Sequence, residues 1–516
     1  MSRALPRLAA AGLIAVTGSV ATLTTTGIGT ATAGPCSVMF GNFGSLLENH
    51  TGAGMAGGSL GSLGSGSSGS LGSASRAMGS ADRSGSLVQQ LETGSLGNGL
   101  SGSLNSAIGS IYGMPPWITG EEGTVPVLRG PTQFLQLVTG PTSPTESISR
   151  YGVAGTDLGI MWDNGHATDP EILMAFGDTM GDCTVPGSQW RSNVLFRSGD
   201  TDLGDGVGID SAATGPDGLA KSIVPRSGLP GEVTIIPTAG ISVKGVQYLR
   251  FMSVAHWGQP GSWTTNYSGV AYSTDNGENW TVVPALARPI TSAVPAGDGA
   301  PPVDAAWRDS QMSSYLRTGE HLYEYLTPSG RQGSAILARV PLAGSPSAED
   351  LDGSGGAAPT AGILDPAAYR YWDGTDWVGD PSNAEPVLPR PASELSVMWN
   401  DYLGKYTAMY SQGYNSVVLR TADRPEGPWT EATTLVDYSM LPGVYGAFMH
   451  PWAQGEDLYY LVTTWNAYNV FLVRTRLSEV FPSTLRRTAT PAGPATSEVI
   501  RHVPVSELVG GAVPTE

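Results

Sequence analysis

The chain has 516 residues, a formal net charge of −18 at pH 7 and a pI near 4.7. This acidity excludes the basic surface that nucleic-acid-binding proteins use, and it would repel the chain from an anionic membrane surface. The two cysteines, Cys36 and Cys183, are too few for a disulfide framework or a cysteine zinc site, and the sequence leaves open whether they pair.

The first 33 residues have the pattern of a secretory signal peptide. Two arginines precede an apolar stretch over residues 8–23, and the small residues at 31–33 are typical of a cleavage site. Residues 34–115 are dominated by Gly, Ser, Leu and Ala, so we predict a disordered stalk. No later run reaches the roughly 18 apolar residues of a membrane-spanning helix. The sequence therefore predicts a secreted or cell-wall-associated protein.

A pattern of short alternating strands recurs five times between residues 116 and 480. Each copy opens with one strand and continues with two more that are joined by turns. The opening strands are predicted at residues 155–162, 235–243, 310–318, 394–401 and 445–452. One such unit cannot bury its own faces, so five copies indicate small sheets stacked radially. We predict an all-β, five-bladed β-propeller, followed by a C-terminal tail over residues 481–516.

Two turns support the propeller. Residues 273–280 fit the pattern S-x-D-x-G-x-x-W, the Asp-box of sialidase-like blades, and residues 421–429 resemble the D-x-P-x-G-P-W turn of five-bladed furanosidase propellers. In such turns the aspartate caps the backbone and the glycine takes a positive φ. We therefore predict structural roles for Asp275 and Asp423, despite their carboxylates.

Two aspartates of the first unit are candidates for catalysis. In an antiparallel meander the start of the first strand and the end of the second lie at the same edge, and here these positions hold Asp157 and Asp178. Glycoside hydrolysis requires two carboxylates at one rim, because one protonates the departing oxygen while the other activates water or attacks carbon. Aspartate at a strand end is also typical of a turn or cap, so the pattern alone leaves a structural role open.

Equivalent rim positions in the other units combine polar and aromatic side chains, a mixture typical of a sugar-binding cleft. We predict substrate-binding roles for His256, Trp257, Asp309, Glu394, Tyr445 and Trp465. Each of them is equally compatible with packing between blades, and Glu394 competes with the aspartates for the role of catalytic acid. His450 is predicted to be structural. No metal or cofactor motif occurs, so none is predicted, although the sequence does not decide whether a calcium ion lies in the channel.

The stretches Gly155-Thr156-Asp157-Leu158-Gly159 and Phe176-Gly177-Asp178-Thr179 resemble the family called domain of unknown function 4185. Residues 394–400, 403–406 and 445–448 extend the resemblance, which covers approximately residues 132–477. It implies membership of glycoside hydrolase family 183, five-bladed propellers that act as endo-D-arabinanases on α-1,5-linked D-arabinofuranose. It further implies an inverting mechanism in which one of Asp157 and Asp178 is the base and the other the acid. Analogy with related furanosidase propellers favours Asp157 as the base and Asp178 as the acid, but the sequence does not decide the order.

The substrates of that family are mycobacterial-type arabinogalactan and lipoarabinomannan, so the resemblance implies a secreted actinobacterial enzyme with D-arabinan as its polysaccharide partner. Such a substrate is neutral, and its binding would depend on stacking and hydroxyl contacts rather than on ion pairs. Two other hypotheses remain: a non-catalytic propeller that binds carbohydrate or a wall component, and a furanosidase of another specificity. The sequence does not determine the oligomeric state.

Overall fold

The structure is a computed structural model and describes residues 124–140, 142–182, 186–291, 300–352, 361–414, 416–465, 468–481 and 496–504. The predicted signal peptide, the predicted stalk and both cysteines lie outside these residues. None of the helices in the described ranges has the length and apolar character needed to cross a bilayer.

Five antiparallel sheets follow one another along the chain, and this confirms the predicted five-bladed β-propeller. The first two strands are β1 (Thr124–Arg129) and β2 (Thr132–Leu137). Blade one contains β3 (Leu158–Asp163), β4 (Ile172–Phe176), β5 (Val194–Ser198) and β6 (Ser211–Ala212). Blade two contains β7 (Thr234–Val243), β8 (Val246–Trp257), β9 (Trp263–Ser273) and β10 (Thr281–Pro289).

The remaining blades have the same meander order. Blade three contains β11 (Met312–Thr318), β12 (His321–Thr327), β13 (Ile336–Pro341), β14 (Arg370–Trp372) and β15 (Trp377–Val378). Blade four contains β16 (Ser393–Asn400), β17 (Lys405–Gln412), β18 (Ser416–Ala422) and β19 (Thr433–Asp437). Blade five contains β20 (Val444–Met449), β21 (Asp457–Thr464) and β22 (Asn469–Arg476).

The helical elements that the structure describes are short. The α-helices are α1 (Ser147–Tyr151), α2 (Ala348–Asp352) and α3 (Leu477–Val480). The 3₁₀ turns are Pro186–Gln189, Ala305–Asp309, Gly362–Leu364, Pro366–Ala368 and Pro381–Asn383. All of them lie in connections between strands, so strands alone build the scaffold.

The first strands of the blades contact one another in a closed ring, in the order β3, β7, β11, β16, β20 and back to β3. Strand β2 pairs with β22 and is the outermost strand of blade five. A strand from the beginning of the described chain thus completes the last blade and closes the propeller. The segment that we predicted as a tail contributes a further strand, β23 (Glu498–Pro504), which pairs with β1. Both ends of the described chain are thus fastened by backbone hydrogen bonds.

The hydrophobic core is divided among the interfaces between neighbouring blades. Leu173 of blade one packs in the same cluster as Leu249 and Phe251 of blade two, and Phe176 and Phe196 pack with blade five. Separate clusters join blades two and three, blades three and four, and blades four and five. Removing apolar area from water on both faces of each sheet is what holds the blades together.

The Asp-box has the predicted structural role. The Asp275 carboxylate accepts a 2.7 Å hydrogen bond from Ser273 Oγ and a 2.9 Å bond from the backbone N–H of Asn279. Gly277 has a φ of +81°, and Trp280 packs edge-to-face on Trp162 at 6.4 Å. The carboxylate is therefore occupied in holding a turn of blade two.

Candidate active site

Blade one brings Asp157 and Asp178 to the same end of the molecule. Asp157 directly precedes β3, and Asp178 lies two residues after β4 ends. The Gly177 N–H donates to the carbonyl of Asp157 at 3.1 Å. A Cβ at Gly177 would lie only 2.3 Å from Asp157 Oδ1, so the carboxyl group packs directly against the backbone that carries Asp178.

The backbone next to Asp157 is strained. Leu158 has a φ of +71°, and the pairing of β3 with β4 shifts register between Leu158 and Ile160. A left-handed conformation at a bulky residue costs on the order of 1–3 kcal/mol and persists only where the surroundings enforce it. A β-bulge of this kind redirects a side chain at the end of a strand, here the carboxyl group of Asp157.

The Asp157 carboxyl group has two tyrosine partners. Tyr445 Oη donates to Oδ2 at 2.9 Å, and the Tyr468 hydroxyl also donates a hydrogen bond to this carboxyl group. Burial raises the pKa of Asp157 to about 7, and the hydrogen bond from Tyr445 opposes this rise. The negative charge of Glu394 raises the pKa further, whereas the positive charge of Arg331 lowers it. Asp157 therefore changes its charge close to neutral pH.

Asp178 is more deeply buried, with 1 % of its surface exposed. Its Oδ1 accepts hydrogen bonds from Thr234 Oγ1 at 2.6 Å and from Trp190 Nε1 at 3.1 Å. Burial raises the pKa of Asp178 to about 8, with the Thr234 hydrogen bond opposing the rise and the charge of Asp157 adding to it. Because both donors reach Oδ1, a proton on this carboxyl group belongs on Oδ2.

The negative charge of Asp157 adds to the rise in the pKa of Asp178, so the protonation of the two carboxyl groups is linked. Burial raises the pKa of both groups far above the ordinary value of an aspartate. One neutral and one ionised carboxyl group at the same rim can act as acid and base in a single reaction.

Glu394 is held by an arginine that the sequence analysis did not identify. Arg331 donates to both oxygens of Glu394, with three N···O distances between 2.6 and 2.9 Å. The two side chains are 13 % and 8 % exposed. A carboxylate whose two oxygens both accept from one guanidinium has no proton to donate, so the geometry argues against Glu394 as the catalytic acid.

Aromatic side chains surround the pair. The Trp465 ring lies 6.5 Å from that of Tyr445 and 5.8 Å from that of Tyr468. Tyr468 lies beside both aspartates, and burial together with their charges raises the pKa of its hydroxyl well above the usual value. The predicted site residue Tyr445 thus contacts Asp157, and the predicted site residue Trp465 packs against Tyr445 and Tyr468.

No described contact joins the other predicted binding residues to the aspartates. Trp257, at the end of β8, packs edge-to-face on Trp263 at 5.7 Å, and Trp263 lies under Arg331 at 5.6 Å. His256 is exposed, as is Asp309 at the end of a 3₁₀ turn before β11. Among the described contacts, neither His256 nor Asp309 makes a side-chain hydrogen bond or ion pair with the aspartates, and their binding roles remain predictions.

His450 is buried, with 1 % exposure, and Nδ1 accepts a 3.3 Å hydrogen bond from the backbone N–H of Trp452. Burial lowers its pKa to about 4, so the imidazole is neutral at physiological pH. Asp423 is exposed and forms an ion pair with Lys405 on the surface. Neither residue belongs to the site, in agreement with the sequence analysis.

Four residues of the site escaped the sequence analysis: Thr234, Trp190, Tyr468 and Arg331. Two of them follow the same positional rule as the aspartates, since Thr234 begins β7 and Arg331 follows the end of β12. Trp190 lies in the connection between β4 and β5 and Tyr468 in the turn before β22, where no periodic signal marks them.

The described residues contain no cluster of three or more His, Cys, Asp or Glu side chains that could hold a metal ion.

Comparison with known proteins identifies the family. The profile described as "Domain of unknown function (DUF4185)" matches residues 142–474, which include both aspartates. The chain belongs to this family. Two Aspergillus relatives are each 31% identical to it. "Notoamide biosynthesis cluster protein J" from Aspergillus sp. (strain MF297-2) aligns over 62% of this chain and 82% of its own length. "Notoamide biosynthesis cluster protein J'" from Aspergillus versicolor aligns over 62% of this chain and 84% of its own length.

Solved structures resemble this DUF4185 chain more distantly. A putative hydrolase from Bacteroides ovatus has a TM-score of 0.41 at 12% identity and covers 67% of this chain and 91% of its own. An α-L-arabinofuranosidase from Podospora anserina has a TM-score of 0.37 at 10% identity, with coverages of 68% and 98%. Scores and identities this low decide neither the chemistry nor the substrate of the DUF4185 protein.

Proposed function

We propose that this protein is a secreted, endo-acting glycoside hydrolase that cleaves α-1,5-linked D-arabinofuranosyl chains of cell-wall arabinan with inversion. The observation that carries the hydrolase assignment is the pair of carboxyl groups at one rim, Asp157 and Asp178, with pKa values raised to about 7 and about 8. Carboxyl groups whose pKa values are raised toward neutrality are suited to acid–base catalysis near neutral pH.

In the proposed reaction, Asp178 gives its proton to the glycosidic oxygen as the bond to the anomeric carbon breaks. Ionised Asp157 accepts a proton from a water molecule, whose oxygen forms the new bond to that carbon from the opposite face. Asp178 ends ionised and Asp157 protonated, and exchange with solvent restores both. The Tyr445 hydroxyl at 2.9 Å stabilises the ionised form of Asp157 before the reaction.

The surroundings of the pair fit a neutral, hydroxyl-rich ligand. Trp465 is only partly buried and packs against Tyr445 and Tyr468, so it offers an aromatic face on which a sugar ring can stack. The buried Arg331 has both oxygens of Glu394 as partners, so it is not a free cation for an anionic substrate. The choice of D-arabinan and the cell-wall location follow from the sequence resemblance and the signal-peptide pattern.

The test is to incubate the full chain with mycobacterial arabinogalactan and to follow the release of oligosaccharides. Asp157→Asn and Asp178→Asn should abolish release, whereas Asp423→Asn, a remote and exposed carboxylate, should not affect it. The anomeric configuration of the first product, read by NMR, tests inversion. Binding without release would favour a non-catalytic propeller, and release from L-arabinan alone would favour a different furanosidase.

A further inference from the structure

Arg331 occupies a junction of the propeller at the catalytic rim. It lies in the turn between β12 and β13 of blade three, and its N–H donates to the carbonyl of Gly261 in blade two at 2.8 Å. Its guanidinium holds Glu394 of blade four and lies 4.4 Å from the ring centroid of Tyr445 in blade five. Tyr445 in turn reaches Asp157 of blade one, so one chain of contacts joins all five blades.

The backbone around Arg331 is shaped to hold it there. Gly330 has a φ of +83°, and a Cβ at this position would lie 3.2 Å from the Gly261 carbonyl oxygen. On the other side, Glu394 itself has a φ of +42°, in the left-handed region that non-glycine residues seldom adopt. A left-handed conformation at Glu394 indicates that the surrounding fold enforces the geometry at this end of the ion pair.

We propose that Arg331, clamped to Glu394, is a positioning residue that orients Tyr445 toward Asp157 and sets the charge around that carboxyl group. The guanidinium lies between the rings of Trp263 and Tyr445, at 5.6 and 4.4 Å from their centroids, and its fork is fixed by the two oxygens of Glu394. A cation fixed over the Tyr445 ring restricts that ring, and its hydroxyl therefore stays directed at Asp157. The role in catalysis rests on the proposed function; the positioning itself does not.

The charges around Asp157 predict the direction in which each substitution should shift the pKa of this residue. The charged and titratable groups that face it are Glu394, Arg331, Tyr445, Tyr468 and Asp178. Glu394 raises the pKa of Asp157 and Arg331 lowers it, so neutralising one or the other should move the pKa in opposite directions. An ion pair too distant from Asp157 to act on its charge would not produce these opposite shifts.

The experiment is a ¹³C NMR titration of the full chain labelled at the aspartate carboxyl carbons, with Asp157→Asn to assign the resonance of Asp157. Arg331→Gln should raise the pKa of Asp157 by about one unit, since it removes a nearby positive charge and leaves Glu394 unpaired. Glu394→Gln should lower it. Arg331→Lys, which keeps the charge but not the fork, should fall between the wild type and Arg331→Gln.

The matched control is Arg197→Gln, which breaks an ion pair with Glu278 at 2.9 Å far from the aspartates and should leave the pKa of Asp157 unchanged. Shifts of the same sign in Arg331→Gln and Glu394→Gln, or no shift in either, would overturn the proposal. If Arg331→Gln does not fold, Arg331→Lys and Glu394→Gln still decide it. The titration needs no substrate, so a wild type inactive on arabinan would refute the proposed function without touching this inference.

Discussion

Replacing Asp178 by asparagine should stabilise the protein, and the gain should grow as the pH rises. The carboxyl group is 1 % exposed, and its pKa is raised from 3.8 to about 8, chiefly by burial. A carboxyl group whose pKa is raised in the folded state contributes stability that is complete below its unfolded pKa and is lost as the pH rises through the folded pKa. The sensitive window therefore runs from about pH 4 to about pH 8.

The size of the effect follows from the proton that the folded state retains. One proton of difference between the folded and unfolded states is worth about 1.4 kcal/mol per pH unit. The interval from the ordinary aspartate pKa of 3.8 to pH 7 is about 3 pH units. The ionisable group therefore lowers the free energy of unfolding at neutral pH by at most about 4 kcal/mol, and asparagine removes this cost. Asparagine keeps an acceptor oxygen for Thr234 and Trp190, so the two hydrogen bonds need not be lost.

The assay is thermal unfolding of the wild type and Asp178→Asn between pH 5 and pH 9, with Asp423→Asn as an exposed control. The variant should be the more stable one throughout, and the difference in melting temperature should be smallest at pH 5 and largest, several degrees, at pH 8. A difference independent of pH, or a variant that loses stability as the pH rises, would show that Asp178 is ionised in the folded state at neutral pH and would refute the reasoning.

Three further predictions concern the same site. The pH profile of kcat/KM should be bell-shaped, with an acid limb near 7 and an alkaline limb near 8; a profile flat from pH 5 to 9 would contradict the acid–base assignment. Tyr445→Phe removes a donor to Asp157 and should move the acid limb upward by about one pH unit. Tyr248→Phe, which removes a buried hydroxyl that has no hydrogen-bond partner among the described residues, should leave the limb in place. Gly177→Ala should reduce kcat at least tenfold, on the order of a 1.4 kcal/mol loss, because its Cβ would lie 2.3 Å from Asp157 Oδ1. The control is Gly379→Ala, whose Cβ meets no atom within 4 Å. Equal activity of the two variants would show that the Asp157 carboxyl group can move freely.

The fold could be predicted because its signals are local. Alternating strands and their turns recur within short stretches, and the predicted opening strands coincide with β3, β7, β11, β16 and β20 to within a few residues. The tail was the exception, since β23 pairs with β1, a partner more than 360 residues earlier, and nothing in its own sequence marks that pairing. A short strand with a distant partner has no local signature.

The site was predictable only in part, for the same reason. Asp157 and Asp178 belong to neighbouring strands of one blade, so strand order alone puts them at one rim. Arg331 was missed because its importance lies in contacts with Glu394 and Tyr445, which come from other blades. Those contacts exist only once the blades are arranged around the channel.

The sequence by itself thus determined the number of blades, the order of their strands and the edge at which two carboxyl groups meet, because each depends on pairing between adjacent segments. Only the tertiary structure decided how those groups behave. The hydrogen bond from Tyr445 to Asp157 spans 288 residues, and the burial that raises both pKa values is produced by several blades together. Desolvation and charge interactions depend on everything within a few ångströms, and that neighbourhood is set by the closed ring rather than by any one stretch of chain.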